Sequence, residues 1–129
     1  MILLDTHVLI WLGFEPAKLS RAARKAIGES ARTGGLGISA ITLWEAAWLV
    51  THRGVDFTGT PDAFIEEISS RTAVFPITPT IAILANQLPP TYSSDPSDRL
   101  IGATALAEGI GLVTKDRSIR NCKQIKTIW

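Results

Sequence analysis

The sequence has few of the residues that build disulfides and thiolate metal sites, because Cys122 is the one cysteine in 129 residues. A single cysteine excludes an intrachain disulfide and a cysteine-rich zinc site, and it fits a reducing compartment. The chain has two histidines, and neither offers Cys122 an obvious base partner. We therefore do not expect this thiol to be a nucleophile.

The chain also lacks a strong net charge and a long hydrophobic run. Its formal net charge is +1, from 13 Lys and Arg against 12 Asp and Glu, so no overall positive field attracts nucleic acid. No uncharged apolar stretch approaches the length of about 18 residues that a membrane span needs. The apolar N-terminal segment has no basic leading region, and Asp5 and His7 interrupt it, unlike a signal peptide. These features predict a cytoplasmic protein.

What is present fits one α/β domain over residues 1–129, with no internal repeat, low-complexity tract or charged linker. Short apolar runs alternate with helical segments, which favours a three-layer α/β/α sandwich with a mostly parallel central sheet. We predict strands at 1–4, 36–39, 73–77, 112–114 and 125–128, and helices at 8–13, 20–32, 41–53, 61–71, 79–88 and 97–108.

Four acidic residues occupy comparable places relative to these elements. Asp5 directly follows the first strand, and Asp116 follows the fourth strand after one intervening residue. Glu45 lies near the start of the helix that leaves the second strand, and Asp98 opens the helix that leads to the fourth. In a parallel α/β sheet, strand C-termini and helix N-termini share one edge, and ligands bind there where the strand order reverses. We therefore expect all four acids on one rim.

Each acid also has a structural interpretation. An Asp at a helix N-terminus accepts backbone N–H bonds, which stabilises the helix by about 0.5–2 kcal/mol. Asp5 and Asp116 could both cap short helices. In residues 95–98, Asp95 is predicted to be the N-cap, with Pro96 at the first helical position and Asp98 at the third. We interpret Asp95 as mainly structural, whereas helix capping explains Asp98 only in part.

Glu45 is the acid for which a structural explanation is weakest. It lies between Trp44 and Ala46 in a helix with few polar positions, and no Lys or Arg stands one turn away. Burial of an unpaired carboxylate is costly, and a cation shared by the four acids would remove both this cost and their repulsion. Oxygen ligands, with His7 the one histidine nearby, suit Mg²⁺ or Mn²⁺ rather than zinc. Such sites activate water for attack on a phosphodiester.

These residues lie in segments that resemble PIN-domain ribonucleases, and among them the VapC-like toxins of bacterial toxin–antitoxin pairs. Two departures from the family pattern occur: the loop at 92–94 is Tyr-Ser-Ser where a His is common, and Ser97 replaces a bulkier or aliphatic residue. The similar segments, in chain order, are ILLDTH at 2–7, ISAITLWEAA at 38–47, DPSDRLI at 95–101, LVTKD at 112–116 and IKTIW at 125–129.

The resemblance implies a parallel sheet with helices on both faces and a Mg²⁺- or Mn²⁺-dependent endoribonuclease that a small antitoxin inhibits. Carried over position by position, it implies that Asp5, Glu45, Asp98 and Asp116 are the catalytic and metal-binding acids.

Neighbouring residues are candidate substrate contacts. Thr6 and Thr114 adjoin the acids and are candidates for bonding metal-bound water, although such threonines are often turn residues. Arg99, Lys115 and Arg117 are candidate phosphate contacts, with plain solvent exposure as the alternative.

Two other functions remain open from the sequence. A phosphatase or phosphoacceptor domain also places an Asp after its first strand, but the phosphatase variant has a second Asp where His7 stands. A degenerate PIN-like fold that only binds RNA or protein is the other alternative, and four retained acids argue against it. A homodimer is possible. Trp11, Trp44 and Trp48 are predicted to be core residues, with a dimer or antitoxin interface as the alternative.

Overall fold

A parallel five-stranded sheet forms the centre of the fold in the computed structural model, which describes residues 1–52 and 58–129. The strand order is β3-β2-β1-β4-β5, and every neighbouring pair is parallel. The chain moves outward in one direction from β1 to β3 and in the other from β4 to β5, so the order reverses between β1 and β4. The strands are β1 Ile2–Leu4, β2 Leu36–Ser39, β3 Ala73–Phe75, β4 Leu112–Val113 and β5 Thr127–Ile128.

Helices cover both faces of this sheet, because successive strand residues point to opposite sides. Leu4 and Val113 are fully buried in the core that α1, α2 and α4 share. Leu3 and Leu112 are fully buried on the other side, against α6 and α7. The predicted α/β/α sandwich is confirmed. The helices are α1 Thr6–Phe14, α2 Arg21–Thr33, α3 Ala40–His52, α4 Pro61–Arg71, α5 Pro79–Gln87, α6 Pro96–Glu108 and α7 Arg117–Arg120, with a 3-10 turn at Pro16–Lys18.

Capping residues fix several of these helix ends. The Ser20 hydroxyl accepts from the Ala23 N–H at 3.0 Å, which starts α2. Asp95 is the N-cap of α6, as predicted, and its Oδ1 accepts from the Ser97 N–H at 2.8 Å. Gly109 ends α6 with a φ of 63°, a left-handed conformation that glycine adopts without steric cost. Local signals of this kind explain why the helix boundaries follow the sequence.

Helix α3 differs from its prediction. Its apolar sequence predicts burial on all sides, yet Trp44 is 62% exposed and Trp48 is 39% exposed, so a core position is wrong for both. The helix packs on α1, α4, α6 and β2 through the side that carries Thr42 and Ala46. Residues 44 and 48 lie one turn apart on its outer side. The predicted end of this helix, at residue 53, lies outside the described residues.

Trp11 is half-buried against the core around α1, and its ring lies 6.0 Å from that of Trp129. Among the described residues, no helix combines the length and the apolar character that crossing a membrane requires.

Candidate active site

The four acids lie around the carboxyl edge of the central strands. Asp5 follows β1 and Asp116 follows β4, so these two flank the point where the strand order reverses. Asp98 is in the first turn of α6, and Glu45 is in the second turn of α3. Both helices pack against β2. The sheet thereby supplies the crevice in which α/β proteins bind ligands.

Asp5 occupies the N-cap position of α1, but its side chain makes no capping hydrogen bond. Instead, Thr114 Oγ1 donates to Asp5 Oδ2 at 2.7 Å, across the junction of β1 and β4. Burial of the carboxyl group raises the pKa of Asp5, against the lowering effects of this hydrogen bond and of His7. Helix capping therefore does not explain Asp5.

Glu45 is held by a threonine from the neighbouring helix. Thr6 Oγ1 donates to Glu45 Oε1 at 2.7 Å. Partial burial is the main reason that the pKa of Glu45 is raised, and repulsion from Asp95, Asp5 and Asp98 adds to it. Among the described residues, the ion pairs lie elsewhere, on the surfaces of the helices. Glu45 thus has a hydroxyl partner but no ion-pair partner in that part of the chain.

Asp98 is held by the loop between α5 and α6. Ser93 Oγ donates to Asp98 Oδ2 at 2.6 Å, and the buried Tyr92 hydroxyl donates to the Asp98 carbonyl at 2.8 Å. Burial raises the pKa of Asp98, and the charges of Asp5, Asp95 and Asp116 raise it further. Ser93 carries no signal in the sequence, because no regular spacing connects a loop residue to a helical acid.

Asp116 combines two roles. It caps α7, since its Oδ1 accepts from the Ser118 N–H at 2.7 Å and from the Ser118 hydroxyl at 2.6 Å. Partial burial acts to raise the pKa of Asp116, but the hydrogen bonds from Ser118 and from the Ile119 N–H outweigh it and lower that pKa. Asp116 is therefore the acid most readily ionised. Among the described residues, all of these hydrogen bonds fall on Oδ1.

These contacts share one pattern. Each of the four acids accepts a Ser or Thr hydroxyl on one carboxylate oxygen, and charges of neighbouring acids help to raise the pKa values of Asp5, Glu45 and Asp98. A cation at this edge would neutralise the repulsion and bind the remaining oxygens. In the part of the chain that the structure describes, no three His, Cys, Asp or Glu side chains converge closely enough to form a complete metal site.

Ser39 is a further buried polar residue at this edge of the sheet. It ends β2 with a fully buried side chain, and its hydroxyl has no hydrogen-bond partner among the described residues. Gly37 is in register with Leu3, so Ser39, two residues later, faces Asp5 across β2 and β1. Because buried hydroxyls are normally hydrogen-bonded, Ser39 is a polar group beside Asp5 that could bond to a hydrated cation.

The candidate substrate contacts separate into two groups. Thr6 and Thr114 are buried and donate to Glu45 and Asp5, which makes them partners of the acids rather than of a substrate. Lys115 and Arg117 are exposed and flank Asp116, and Lys115 Nζ lies 5.7 Å from the Trp11 ring centroid. Neither of these two cations forms an ion pair within the described part of the chain.

The contacts of Arg99 differ from those expected of a phosphate-binding residue. Its guanidinium donates to three backbone carbonyls, those of Ala85 at 2.8 Å, Leu88 at 2.7 Å and Ser93 at 3.1 Å. These bonds join the end of α5 to the loop that carries Ser93. Arg99 therefore fixes the loop around Asp98, and its donors point toward the protein backbone instead of a phosphate.

Known proteins are similar to this chain in sequence and in fold. The chain is 36% identical over 130 residues to Ribonuclease VapC22 of Mycobacterium tuberculosis, and the match covers 99% of this chain and 98% of that protein. In fold it is similar to VapBC2 of Rickettsia felis bound to a promoter DNA fragment, with a TM-score of 0.74, 17% identity and coverage of 98% and 97% of the two chains.

A toxin–antitoxin complex of Klebsiella pneumoniae gives a TM-score of 0.70 at 22% identity and covers 97% of this chain and 95% of its own. At such identities the structural matches show the fold alone. The family model named PIN domain matches residues 2–124. The chain therefore belongs to the PIN-domain family.

Proposed function

We propose that this chain is a metal-dependent endoribonuclease and the toxin of a toxin–antitoxin pair. The observation that carries the proposal is the set of Asp5, Glu45, Asp98 and Asp116 at the β1–β4 switch point, in a chain closely related to a protein named ribonuclease. The cofactor we propose is Mg²⁺ or Mn²⁺, because the available ligands are carboxylate and hydroxyl oxygens.

In this proposal the four acids hold the cation and the phosphodiester is cleaved beside them. The bound cation supplies the positive charge that activates water and stabilises charge developing on the phosphate. Thr114, Thr6 and Ser93 each occupy one oxygen of an acid, and so they orient the other oxygen toward the crevice. Lys115 and Arg117 attract the RNA backbone from the rim. All of these groups belong to one domain, which we propose spans residues 1–129.

RNA cleavage with and without metal tests the proposal directly. Wild-type protein is expected to cleave RNA with Mg²⁺ or Mn²⁺ and to stop when EDTA is added. Asp5→Ala and Asp5→Asn should lose cleavage, because both remove a ligand charge. Asp62→Asn is the matched control, since Asp62 is an exposed Asp in the first turn of α4 and does not belong to the four-acid set. Cleavage that persists in EDTA, or that Asp5→Asn retains, would reject this mechanism.

The proposed antitoxin has a suitable surface on the described part of the chain. A groove of about 390 Å³ runs between α1 and α4, lined by apolar side chains that include Leu9, Leu12, Phe64 and Ile68. Helix α1 begins beside Asp5, and its nine residues extend about 13 Å toward that groove. The sequence predicts a groove lined by Trp11, Trp48 or their neighbours; Leu12, next to Trp11, lines this groove, whereas the two Trp side chains do not.

We predict that antitoxin and metal compete. Apolar antitoxin side chains would fill the groove, and an antitoxin Arg would reach along α1 to form charge-assisted bonds with the acids. Raising Mn²⁺ in a binding titration should therefore weaken antitoxin affinity. The competition should disappear when that Arg is changed to Ala, while apolar contacts keep the complex together. Affinity independent of Mn²⁺ in the wild-type pair would instead indicate inhibition by blocked access of RNA.

Two further expectations stay predictions. A homodimer is one explanation for the exposed Trp44 and Trp48, and a light-scattering mass compared with that of a Trp44→Ala, Trp48→Ala double variant checks it. The second of these expectations is the cytoplasmic location that the sequence predicts.

A further inference from the structure

Thr42 has a fully buried hydroxyl that is bonded in an unusual way for a threonine in a helix. Its Oγ1 lies 3.1 Å from Thr6 Oγ1, on the neighbouring helix α1. Three other helical threonines, Thr33, Thr51 and Thr104, follow the ordinary pattern, in which the hydroxyl donates to the carbonyl one turn earlier. Thr104 donates to Leu100 O at 2.7 Å in this way. The Thr42 hydroxyl is instead directed at the site.

The direction of the bonds follows from the number of protons. Thr6 has one hydroxyl proton, and it donates this proton to Glu45 Oε1 at 2.7 Å. The Thr6 oxygen is then an acceptor toward Thr42, so Thr42 is the donor of the pair. The three groups form a chain in which Thr42 donates to Thr6 and Thr6 donates to Glu45. Each bond in such a chain polarises and strengthens the next.

We propose that Thr42 is a positioning residue that acts on Glu45 through the Thr6 hydroxyl. This inference rests on the proposed function. Glu45 is only partly buried and reaches the site through a flexible side chain, so holding it in one rotamer costs conformational entropy. The Thr42–Thr6 pair fixes Oε1 and leaves Oε2 as the oxygen presented to the cation. Thr42 itself touches neither cation nor RNA.

Thr42→Val and Thr42→Ser separate this role from a purely structural one. Val keeps the branched shape and removes the hydroxyl, whereas Ser keeps the hydroxyl. We expect Thr42→Val to lower kcat about fivefold and to raise the Mn²⁺ concentration for half-maximal thermal stabilisation by a similar factor, the size of one neutral hydrogen bond. Thr42→Ser should restore both values to within about twofold of wild type. Thr42→Ala provides the same test if Thr42→Val does not fold.

Thr104→Val is the matched control, because it removes an equally buried helical hydroxyl that bonds only within α6. It should change the melting temperature but neither kcat nor the Mn²⁺ midpoint. In a Glu45→Gln background, Thr42→Val should cause little further change in the Mn²⁺ midpoint, because the group it positions has been altered.

Failure of the positioning role and failure of the proposed function give different experimental results. If wild type cleaves RNA and responds to Mn²⁺, but Thr42→Val matches it or Thr42→Ser fails to restore the loss, the positioning role is wrong. An equal effect of Thr42→Val in the Glu45→Gln background would also overturn it. If wild type shows neither cleavage nor a response to Mn²⁺, the proposed function itself fails and this inference fails with it.

Discussion

Asp98→Asn is expected to lower RNA cleavage by roughly 100-fold or more while the protein stays folded. Ser93 donates to Asp98 Oδ2, so the amide oxygen of Asn would keep that bond and its NH₂ group would face the crevice. An NH₂ group carries no negative charge and directs protons at the cation. Loss of one of several repelling charges should leave stability unchanged or improve it. Cleavage assays and urea unfolding of the same preparation measure the two effects.

Asp95→Ala is the informative comparison, because Asp95 lies three residues earlier and caps α6. Loss of the bond from the Ser97 N–H to Asp95 Oδ1 should lower the free energy of unfolding by about 1 kcal/mol. Most of the cleavage should remain, although the Asp95 charge also raises the pKa of Glu45 and Asp98. If Asp95→Ala abolishes cleavage in a folded protein, the roles of the two residues have been assigned wrongly.

Mn²⁺ is expected to raise the melting temperature of wild-type protein by several degrees. A ligand that binds only the folded state, at 100 times its dissociation constant, stabilises it by about 2.7 kcal/mol. For a domain of this size that corresponds to a shift of roughly 5–10 °C. Asp98→Asn should show little shift, whereas the exposed Asp62→Asn should match wild type. Equal shifts in wild type and Asp98→Asn would show that Mn²⁺ does not bind at these acids.

The same measurement has a defined pH dependence. Burial raises the pKa of Asp5, Glu45 and Asp98 in the folded protein. These groups favour folding below their unfolded pKa values of about 4, and that contribution is lost as pH rises through the folded pKa values. Asp116 acts in the opposite direction, because its pKa is lowered and its contribution is lost as pH falls.

Three raised pKa values against one lowered value predict that metal-free stability from these groups decreases as pH rises above about 4, the unfolded pKa of such carboxyl groups. The stabilisation by Mn²⁺ should grow over the same interval, because the cation needs ionised carboxylates. Thermal unfolding at several pH values, with and without Mn²⁺, measures both trends. The difference between wild type and Asp98→Asn isolates the contribution of the site. If the difference in metal-free stability between wild type and Asp98→Asn does not change with pH over this range, the prediction is wrong.

The sequence by itself determined the order of strands and helices along this chain. Apolar runs of strand length predicted the five strands, and the capping residue Asp95 predicted where α6 begins, because both signals act over a few neighbouring residues. The order of the motifs also placed Asp5 after β1 and Asp116 after β4. Once a parallel sheet is assumed, those positions share an edge, since strand C-termini lie together.

The tertiary structure decided which side of α3 is buried. The helix is apolar on almost every side, so its sequence carries little directional signal, and only its packing against α1, α4 and α6 leaves Trp44 and Trp48 outward. The contacts of Arg99 show the same limit of prediction from sequence. Its carbonyl partners depend on how the end of α5 lies against α6, which no local pattern encodes.

The hydrogen bonds of the acids likewise belong to the tertiary structure. Thr114 and Asp5 are 109 residues apart, and they meet because β4 pairs with β1. Thr42 is the exception that a sequence pattern could have indicated, since it precedes Glu45 by three residues and so lies on the same side of α3. Its partner Thr6 is still set by the packing of α1 on α3. The sequence determined which acids reach the edge of the sheet. Packing decided which oxygen of each is held and which is left for the cation, because a hydrogen bond depends on distances that only the folded chain defines.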